Sequence, residues 1–266
     1  METEPESHVV FYDTETTGLP LWKERSEDPR QPHIVSLAAI LVDLKTRETV
    51  ASMDVIVKPE GWTSDAQALA THGISHELAM DVGIPEMFAV QMLMMLWKGR
   101  VRIGHNEPFD ARIVRYAQKR YVRMFSETQC EAWKGGRKLC TQTLSTPIVK
   151  AAPSEKMLAK GMTWSKSAKL EEAYEYFFGK PMEGAHNALR DVLACRDVFF
   201  AIQDRAGMVF PDKDAAAPKP SRATAPAARP ASAALAPASA PAPAPAPTVA
   251  AAPAGPAVAH SLADLF

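Results

Sequence analysis

The chain has 266 residues, enough for one large domain or two small ones, and 47% of them are hydrophobic, which is sufficient for a core. Its formal net charge of −1 excludes a globally basic surface of the kind that coats nucleic acid without specificity. The three cysteines, Cys130, Cys140 and Cys195, contain no C-x-x-C pair, which argues against a disulfide framework and against a structural zinc site.

Composition divides the chain into three parts. Residues 1–212 mix apolar, charged and aromatic side chains, so we expect this part to fold as one domain. Residues 213–258 are nearly all Ala and Pro and predict a disordered, extended linker, because proline is too frequent for a helix and bulky apolar residues are too few for a core. Residues 259–266 become hydrophobic again and form a short terminal peptide.

The start of the chain carries no targeting pattern. Residues 1–8 are acidic and lack the basic and apolar regions of a signal peptide, and no run approaches the ~18 apolar residues of a membrane span. We therefore expect a cytoplasmic protein with no membrane partner.

Three β-strands are predicted first. Residues 9–12 are a short apolar, β-rich run that ends in a Thr- and Gly-containing turn, and residues 34–42 and 50–57 are two further strand candidates. Short connections would allow the three strands to pair as an antiparallel meander.

Helices dominate the remainder of the folded part. Residues 85–97 begin with proline, are apolar on most faces and predict a buried helix that leads into a short strand at 101–104. Further helices are expected from about residue 108, at 165–178 and at 188–205. Strands followed by alternating strand and helix indicate the α/β class, with a mixed β-sheet flanked by helices.

Two carboxylates stand together at the predicted end of the first strand. Asp13 and Glu15 are two residues apart, so a strand directs both side chains to the same face. Their mutual repulsion would be relieved by divalent cations that prefer hard oxygen ligands, such as Mg²⁺ or Mn²⁺. For this pair alone, a solvated strand end is the alternative.

Two later motifs combine histidine with an acidic residue. Residues 104–110 run from a strand into a helix and place Asp110 in the first helical turn, a position that the helix dipole alone also favours. His186 is expected in the loop before the last long helix and Asp191 on that helix, where capping and surface roles are common.

In order, the three motifs read D-x-E, H-N-x-x-F-D and H-x-x-x-x-D, and this set resembles the DEDDh exonucleases of the DnaQ-like family. The resemblance spans about residues 8–205. Residues 13–19 are similar to the first motif of the proofreading epsilon-type subunit of bacterial DNA polymerase III, and residues 71–75 resemble a segment that recurs between the first two motifs of the family.

This resemblance implies a ribonuclease H-like fold and hydrolysis of DNA from a free 3′ end, with release of nucleoside 5′-monophosphates. It implies that Asp13, Glu15, Asp110 and Asp191 bind two divalent cations, Mg²⁺ or Mn²⁺, and that His186 is the general base. Two cations ~4 Å apart can activate the attacking water and stabilise the leaving oxygen of an in-line displacement. Histidine titrates near neutrality and can therefore take the proton of that water.

The family also implies contacts to the terminal nucleotides. Leu19 and Phe109 would fray the end and stack on it, although a core position for Phe109 is equally open. Thr16 and His72 are further candidates for substrate binding.

Two features depart from the family pattern. Glu107 adds a carboxylate where a small or neutral residue is common, and we expect it either to perturb metal binding or to face water. The polar insert at residues 21–33, with Trp22, Arg25 and Arg30, follows the first motif; we expect a plain surface loop, with a grip on substrate as the alternative.

The terminal peptide is well placed to dock on another protein, because it stands at the end of a long tether. It resembles the bacterial sliding-clamp-binding peptide in Leu262, Asp264, Leu265 and Phe266, with Leu265 and Phe266 as the pocket-filling pair and Leu262 where glutamine is usual. A sliding clamp and a DNA polymerase catalytic subunit are the implied partners, and an unspecialised hydrophobic end is the alternative.

These observations predict a DNA exonuclease of proofreading, repair or end trimming. An RNA-trimming exonuclease of the same family is the nearest alternative. A catalytically silent, tethered binding module is the second, and the presence of all five expected catalytic residue types counts against it.

Overall fold

A computed structural model describes residues 7–206, and its centre is a mixed sheet. Five strands in this range are ordered β3-β2-β1-β4-β5; β2 pairs antiparallel with both β3 and β1, whereas β4 pairs in parallel with both β1 and β5. The strands are β1 His8–Thr16, β2 Ile34–Asp43, β3 Thr49–Ile56, β4 Arg102–Gly104 and β5 Lys138–Cys140. The α/β class, the mixed sheet and the opening meander are thus confirmed.

Nine helices occur between residues 7 and 206. They are α1 Ala66–His72, α2 His76–Val82, α3 Glu86–Trp97, α4 Glu107–Arg120, α5 Glu127–Gly135, α6 Thr141–Val149, α7 Glu155–Leu158, α8 Leu170–Phe178 and α9 Ala188–Ala206. The sequence patterns predict α3, α4 and α9 closely.

Two predicted boundaries are wrong, both for reasons of hydrogen bonding. β1 does not end at residue 12 but continues to pair with β2 as far as Thr16, so Asp13 and Glu15 lie within the strand. Helix α8 begins at residue 170 and not at 165, because the backbone N–H groups of Lys166 and Ala168 donate to other parts of the chain.

Helices cover both faces of the sheet, and β1 alternates between two cores. Val10 and Tyr12 pack into the cluster formed with α3, α4 and α5, whereas Val9 and Phe11 pack into the cluster formed with α9. The period of two therefore directs Asp13 and Glu15 toward the face of α9.

A buried carboxylate joins β2 to α3 and α4 away from that face. Glu86 is fully buried and accepts hydrogen bonds from the backbone N–H of Ile34 at 2.9 Å, from Nη1 of Arg120 at 2.8 Å and from Oη of Tyr121 at 3.1 Å. Nδ1 of His33 lies 3.0 Å from the same side chain. Both carboxylate oxygens of this acid thus have hydrogen-bond partners.

Among residues 7–206, no helix combines the length and the apolar character that crossing a membrane requires.

All three cysteines are free thiols. The predicted linker and terminal peptide, residues 213–266, lie outside the described residues.

Candidate active site

An open pocket of about 330 Å³ lies where β1, α4, α8 and α9 approach one another. Its lining includes all five residues that the sequence motifs nominate for catalysis: Asp13, Glu15, Asp110, His186 and Asp191. Positions distant in the sequence thus meet in one cleft.

Three of the carboxylates form a tight cluster. Asp13, Glu15 and Asp191 each bring one oxygen to within 4.8 Å of the others, and within residues 7–206 none of the three forms an ion pair. Oδ2 of Asp191 accepts a hydrogen bond from the backbone N–H of His186 at 3.2 Å, while Oδ1 is buried without a partner. A carboxylate oxygen without a partner among residues 7–206, beside two further carboxylates in an open pocket, is a candidate ligand for a cation.

The fourth carboxylate is fixed from the opposite face of β1. The backbone N–H and the hydroxyl of Thr14 both donate to Oδ1 of Asp110, at 3.1 and 2.7 Å. Asn106, directly before α4, has a left-handed backbone with φ of 68°, which asparagine tolerates better than most residues. This turn lets the chain leave β4 and start α4 with Asp110 against the pocket.

Electrostatics disfavours the fully ionised pocket. Burial, together with the negative charges of Asp110 and Asp191, raises the pKa of Asp13 well above its usual value. Burial likewise raises the pKa of Glu15 to about 7 and that of Asp191 to about 6. Burial raises the pKa of Asp110 to about 7, although the hydrogen bonds from Thr14 act in the opposite direction. A divalent cation would supply the missing countercharge.

The pocket contains two histidines with different surroundings. Both ring nitrogens of His105 are engaged, Nδ1 by Oγ1 of Thr141 at 3.0 Å and Nε2 by the carbonyl of Ala168 at 3.0 Å. His186 lies in the loop before α9, with φ of 67° and a half-exposed side chain whose Nε2 is 3.7 Å from Oε1 of Glu171. His186 is therefore the histidine whose ring can accept a proton from solvent in the pocket.

Of the two expectations for Glu107, the structure contradicts the one that this side chain faces water. Glu107 is fully buried, and its Oε1 accepts from Nε of Arg102 at 2.6 Å and from Oη of Tyr12 at 3.0 Å. The guanidinium of Arg102 lies 4.2 Å from the ring centre of Trp133. Glu107 therefore pairs with Arg102 and does not line the pocket. Burial is the main cause that raises the pKa of Asp110, and the charge of Glu107 adds to that rise, so an effect of Glu107 on metal binding stays a prediction.

Of the four candidates for substrate binding, the structure brings one into the pocket. Phe109 lines it and also packs against the core, so both interpretations of this residue describe part of its surface. Leu19 is 72% exposed beside a separate groove. Thr16 is buried and its hydroxyl donates to a nearby carbonyl, whereas His72 accepts from the backbone N–H of Ile74.

Three polar residues of the pocket were missed by sequence reasoning: Gln142, Lys169 and Glu171. Gln142 lies on α6, a helix that the sequence patterns do not indicate. Lys169 and Glu171 flank the start of α8, which the sequence misplaces. A loose basic stretch across residues 156–169 was the available signal for Lys169, and it fits a solvated face equally well.

The mixed sheet, its strand order and the acidic pocket at β1 define the ribonuclease H-like class of fold. The sequence profile of the RNase_T family, described as "Exonuclease", matches residues 10–199. Since that match covers well over half of the chain, the protein belongs to this exonuclease family.

Solved structures agree on the fold. Escherichia coli exonuclease I aligns in its zinc-bound complex with single-stranded DNA (TM-score 0.56, 17% identity) and in its complex with a dT13 oligonucleotide (TM-score 0.59, 18% identity). The alignments cover 76% of this chain but only 41% and 42% of the exonuclease I chains, so this protein spans less than half of those chains. Among curated proteins, the sequence comparison found no match.

Proposed function

We propose that this protein hydrolyses DNA from a free 3′ end by the DEDDh mechanism and releases nucleoside 5′-monophosphates. The observation that carries the proposal is the convergence of Asp13, Glu15 and Asp191, with one oxygen of each within 4.8 Å of the others. Two of the exonuclease I structures that share the fold are complexes with a dT13 and a dA16 oligonucleotide, which supports DNA as the substrate class.

The carboxylates fit a pair of divalent cations. They offer hard oxygen donors without a basic partner, and Oδ1 of Asp191 is buried and unpartnered. Asp13, Glu15, Asp110 and Asp191 would hold Mg²⁺ or Mn²⁺. When bound, such a pair would lower the pKa of the attacking water toward neutrality and would stabilise the negative charge on the leaving 3′ oxygen.

The protein's own groups then have separate tasks. His186 takes the proton of the attacking water, since its ring is half exposed and unanchored by hydrogen bonds to the fold. Glu171, 3.7 Å from Nε2 of His186, stabilises the protonated ring. Thr14 holds Asp110 in one orientation through two hydrogen bonds to the same oxygen.

Contacts to the terminal nucleotide complete the site. Phe109 lines the pocket and stacks on the terminal base, and the exposed apolar side chain of Leu19, which lines a separate groove, keeps the end frayed. Thr16 and His72 remain candidates for contacts to the last sugar or phosphate.

The test is degradation of a 5′-labelled single-stranded DNA oligonucleotide in Mg²⁺, with a matched RNA beside it. Wild type should produce a ladder that shortens from the 3′ end, Asp13→Ala should produce none, and the exposed control Asp81→Ala should match wild type. A stronger ladder on RNA would favour RNA trimming. Absence of cleavage of either substrate would contradict the proposal and favour a silent binding module.

We further propose that the tail directs this activity to replication or repair in the cytoplasm. Residues 1–212 form the exonuclease domain, residues 213–258 the linker, and residues 259–266 the peptide that docks on a sliding clamp beside a polymerase catalytic subunit. Support comes from the sequence pattern of the last eight residues alone. Deletion of residues 262–266 should abolish co-purification with a clamp and leave hydrolysis of short oligonucleotides intact; retained clamp binding would contradict the docking role.

A further inference from the structure

The insert that follows β1 is held in one conformation by a buried amide. Gln31 is 1% exposed, and its Oε1 accepts from the backbone N–H of Leu21 at 3.0 Å. Its Nε2 donates to the carbonyls of Leu21 and Arg25, both at 3.1 Å. These bonds close residues 21–31 into a ring, so the insert is far more ordered than a plain surface loop requires.

Helix α4 braces the same insert from the side. Arg115 donates from Nη2 to the hydroxyl of Ser26, and Arg120 donates from Nη2 to the carbonyls of Gln31 and Pro32 at 3.0 and 3.3 Å. Helix α4 also carries Asp110. The position of the insert is therefore coupled to the helix that shapes the active site.

This bracing presents an aromatic ring to solvent. Trp22 remains 60% exposed, and the guanidinium of Arg112 lies 4.9 Å from its ring centre. Within residues 7–206 Arg112 forms no ion pair, whereas Arg25 and Arg30 of the insert are each paired with an acidic neighbour. The surface thus combines an exposed ring with a cation whose charge is not neutralised.

The ring and the cation adjoin the catalytic pocket. Arg112 follows Phe109 by three residues on α4, so the two side chains are neighbours along one face of the helix. Phe109 lines the pocket, and the helical rise places Arg112 about 4–5 Å farther along the axis. A chain leaving the pocket along α4 would meet Arg112 and Trp22 next.

We propose that Trp22 and Arg112 form a platform for the single-stranded nucleic acid behind the scissile bond. One nucleobase stacks on Trp22 without sequence preference, and a phosphodiester group pairs with Arg112. The buried Gln31 amide fixes the platform before substrate arrives, which lowers the entropy cost of binding. This inference rests on the proposed function and adds the binding site for nucleotides upstream of the terminal one.

The test compares a long substrate with one that cannot reach the platform. The full chain is assayed in Mg²⁺ on single-stranded DNA of about 12 nucleotides and on the p-nitrophenyl ester of thymidine 5′-monophosphate, a single nucleotide. Trp22→Ala should raise KM for the oligonucleotide roughly tenfold, with kcat within about twofold of wild type and no change on the ester. Trp22→Phe should recover most of the loss.

Trp164→Ala is the matched control, because Trp164 is 62% exposed but does not line the active-site pocket. Arg112→Gln should weaken oligonucleotide binding and reduce the slope of log Kd against log salt by about 0.7, the value for one phosphate contact on a single strand. Trp22→Ala should leave that slope unchanged.

Three results would overturn the platform: an unchanged KM in Trp22→Ala, an equal loss in Trp164→Ala, or an equal loss on the single-nucleotide ester. If wild type hydrolyses neither substrate, the proposed function fails, and fluorescence anisotropy of a 5′-labelled oligonucleotide then tests the platform separately. A roughly tenfold weaker Kd in Trp22→Ala supports it, and an unchanged Kd overturns it.

Discussion

Two regions of this protein contain buried carboxylates whose pKa values are shifted in opposite directions. Burial by itself would raise the pKa of Glu86, yet the hydrogen bond with His33 and the charge of Arg120 hold that pKa below its usual value. In the pocket, burial and like charges together raise the pKa of Asp13, and burial raises the pKa of Asp191 against the opposing effect of His186. The first region is electrostatically complete, whereas Asp13, Glu15 and Asp191 form no ion pair within residues 7–206 and therefore need a further countercharge.

The same contrast occurs within one turn of α4. Glu107 is paired with Arg102 in a fully buried contact, whereas Asp110 accepts two hydrogen bonds from Thr14 and forms no ion pair within residues 7–206. Burial is equal and both residues are acidic. The presence or absence of a basic partner, and not depth in the fold, distinguishes a carboxylate that stabilises the fold from one that is available to bind a cation.

The largest expected effect comes from removing one pocket charge. Asp110→Asn keeps the shape of the side chain and an oxygen that can accept from Thr14, but it should lower kcat/KM on single-stranded DNA by roughly 10³-fold or more, because metal-assisted stabilisation amounts to several kcal/mol. The melting temperature in EDTA should equal or exceed that of wild type. A kcat/KM within tenfold of the wild-type value would show that Asp110 does not contribute to catalysis.

The second-largest effect is on stability and concerns the hydrogen-bonded network around Glu86. Glu86→Ala should lower the free energy of unfolding by about 3–5 kcal/mol, because it leaves Arg120 and His33 without their anion. Glu86→Gln, which retains an acceptor for Ile34, should lose less. Urea denaturation without metal measures both.

Glu131→Ala provides the control for that measurement. Glu131 forms an exposed ion pair with Lys134, and its loss should change stability by less than about 1 kcal/mol. Equal losses in Glu86→Ala and Glu131→Ala would contradict the distinction between a buried network and a surface pair.

The smallest effect is the pH dependence of stability without metal. Glu15 and Asp110 have pKa values of about 7 in the folded protein, above the unfolded values of roughly 4, so the folded state binds more protons between those limits. Stability contributed by these groups is therefore present at low pH and is lost as pH rises from ~4 to ~7. In EDTA, the decrease in melting temperature between pH ~4 and pH ~7 should be a few degrees larger for wild type than for Asp13→Asn.

Mg²⁺ should reverse this loss, and its stabilising effect should be larger at pH 8 than at pH 5, where protons compete for the carboxylates. Thermal unfolding with and without the ion measures the difference. The same gain in melting temperature at both pH values, or a full gain in Asp13→Asn, would show that the ion binds elsewhere.

Much of the fold was predictable because its signals are local. The apolar runs of β1 to β3 and the apolar faces of α3 and α9 lie within single elements, and the structure confirms them. The end of β1 and the start of α8 were not predictable in this way. Thr16 is paired with β2, and the residues before Leu170 bond to distant carbonyl and hydroxyl groups.

The sequence by itself determined the family, through the order of three acidic motifs, and thereby nominated Asp13, Glu15, Asp110, His186 and Asp191. Only the tertiary structure decided the electrostatic state of each carboxylate. It paired Glu107 with Arg102, left Oδ1 of Asp191 without a partner, and braced Trp22 beside Arg112. The physical reason is that the energy of a charge or an exposed ring depends on neighbours within a few ångströms, and folding draws those neighbours from distant parts of the chain.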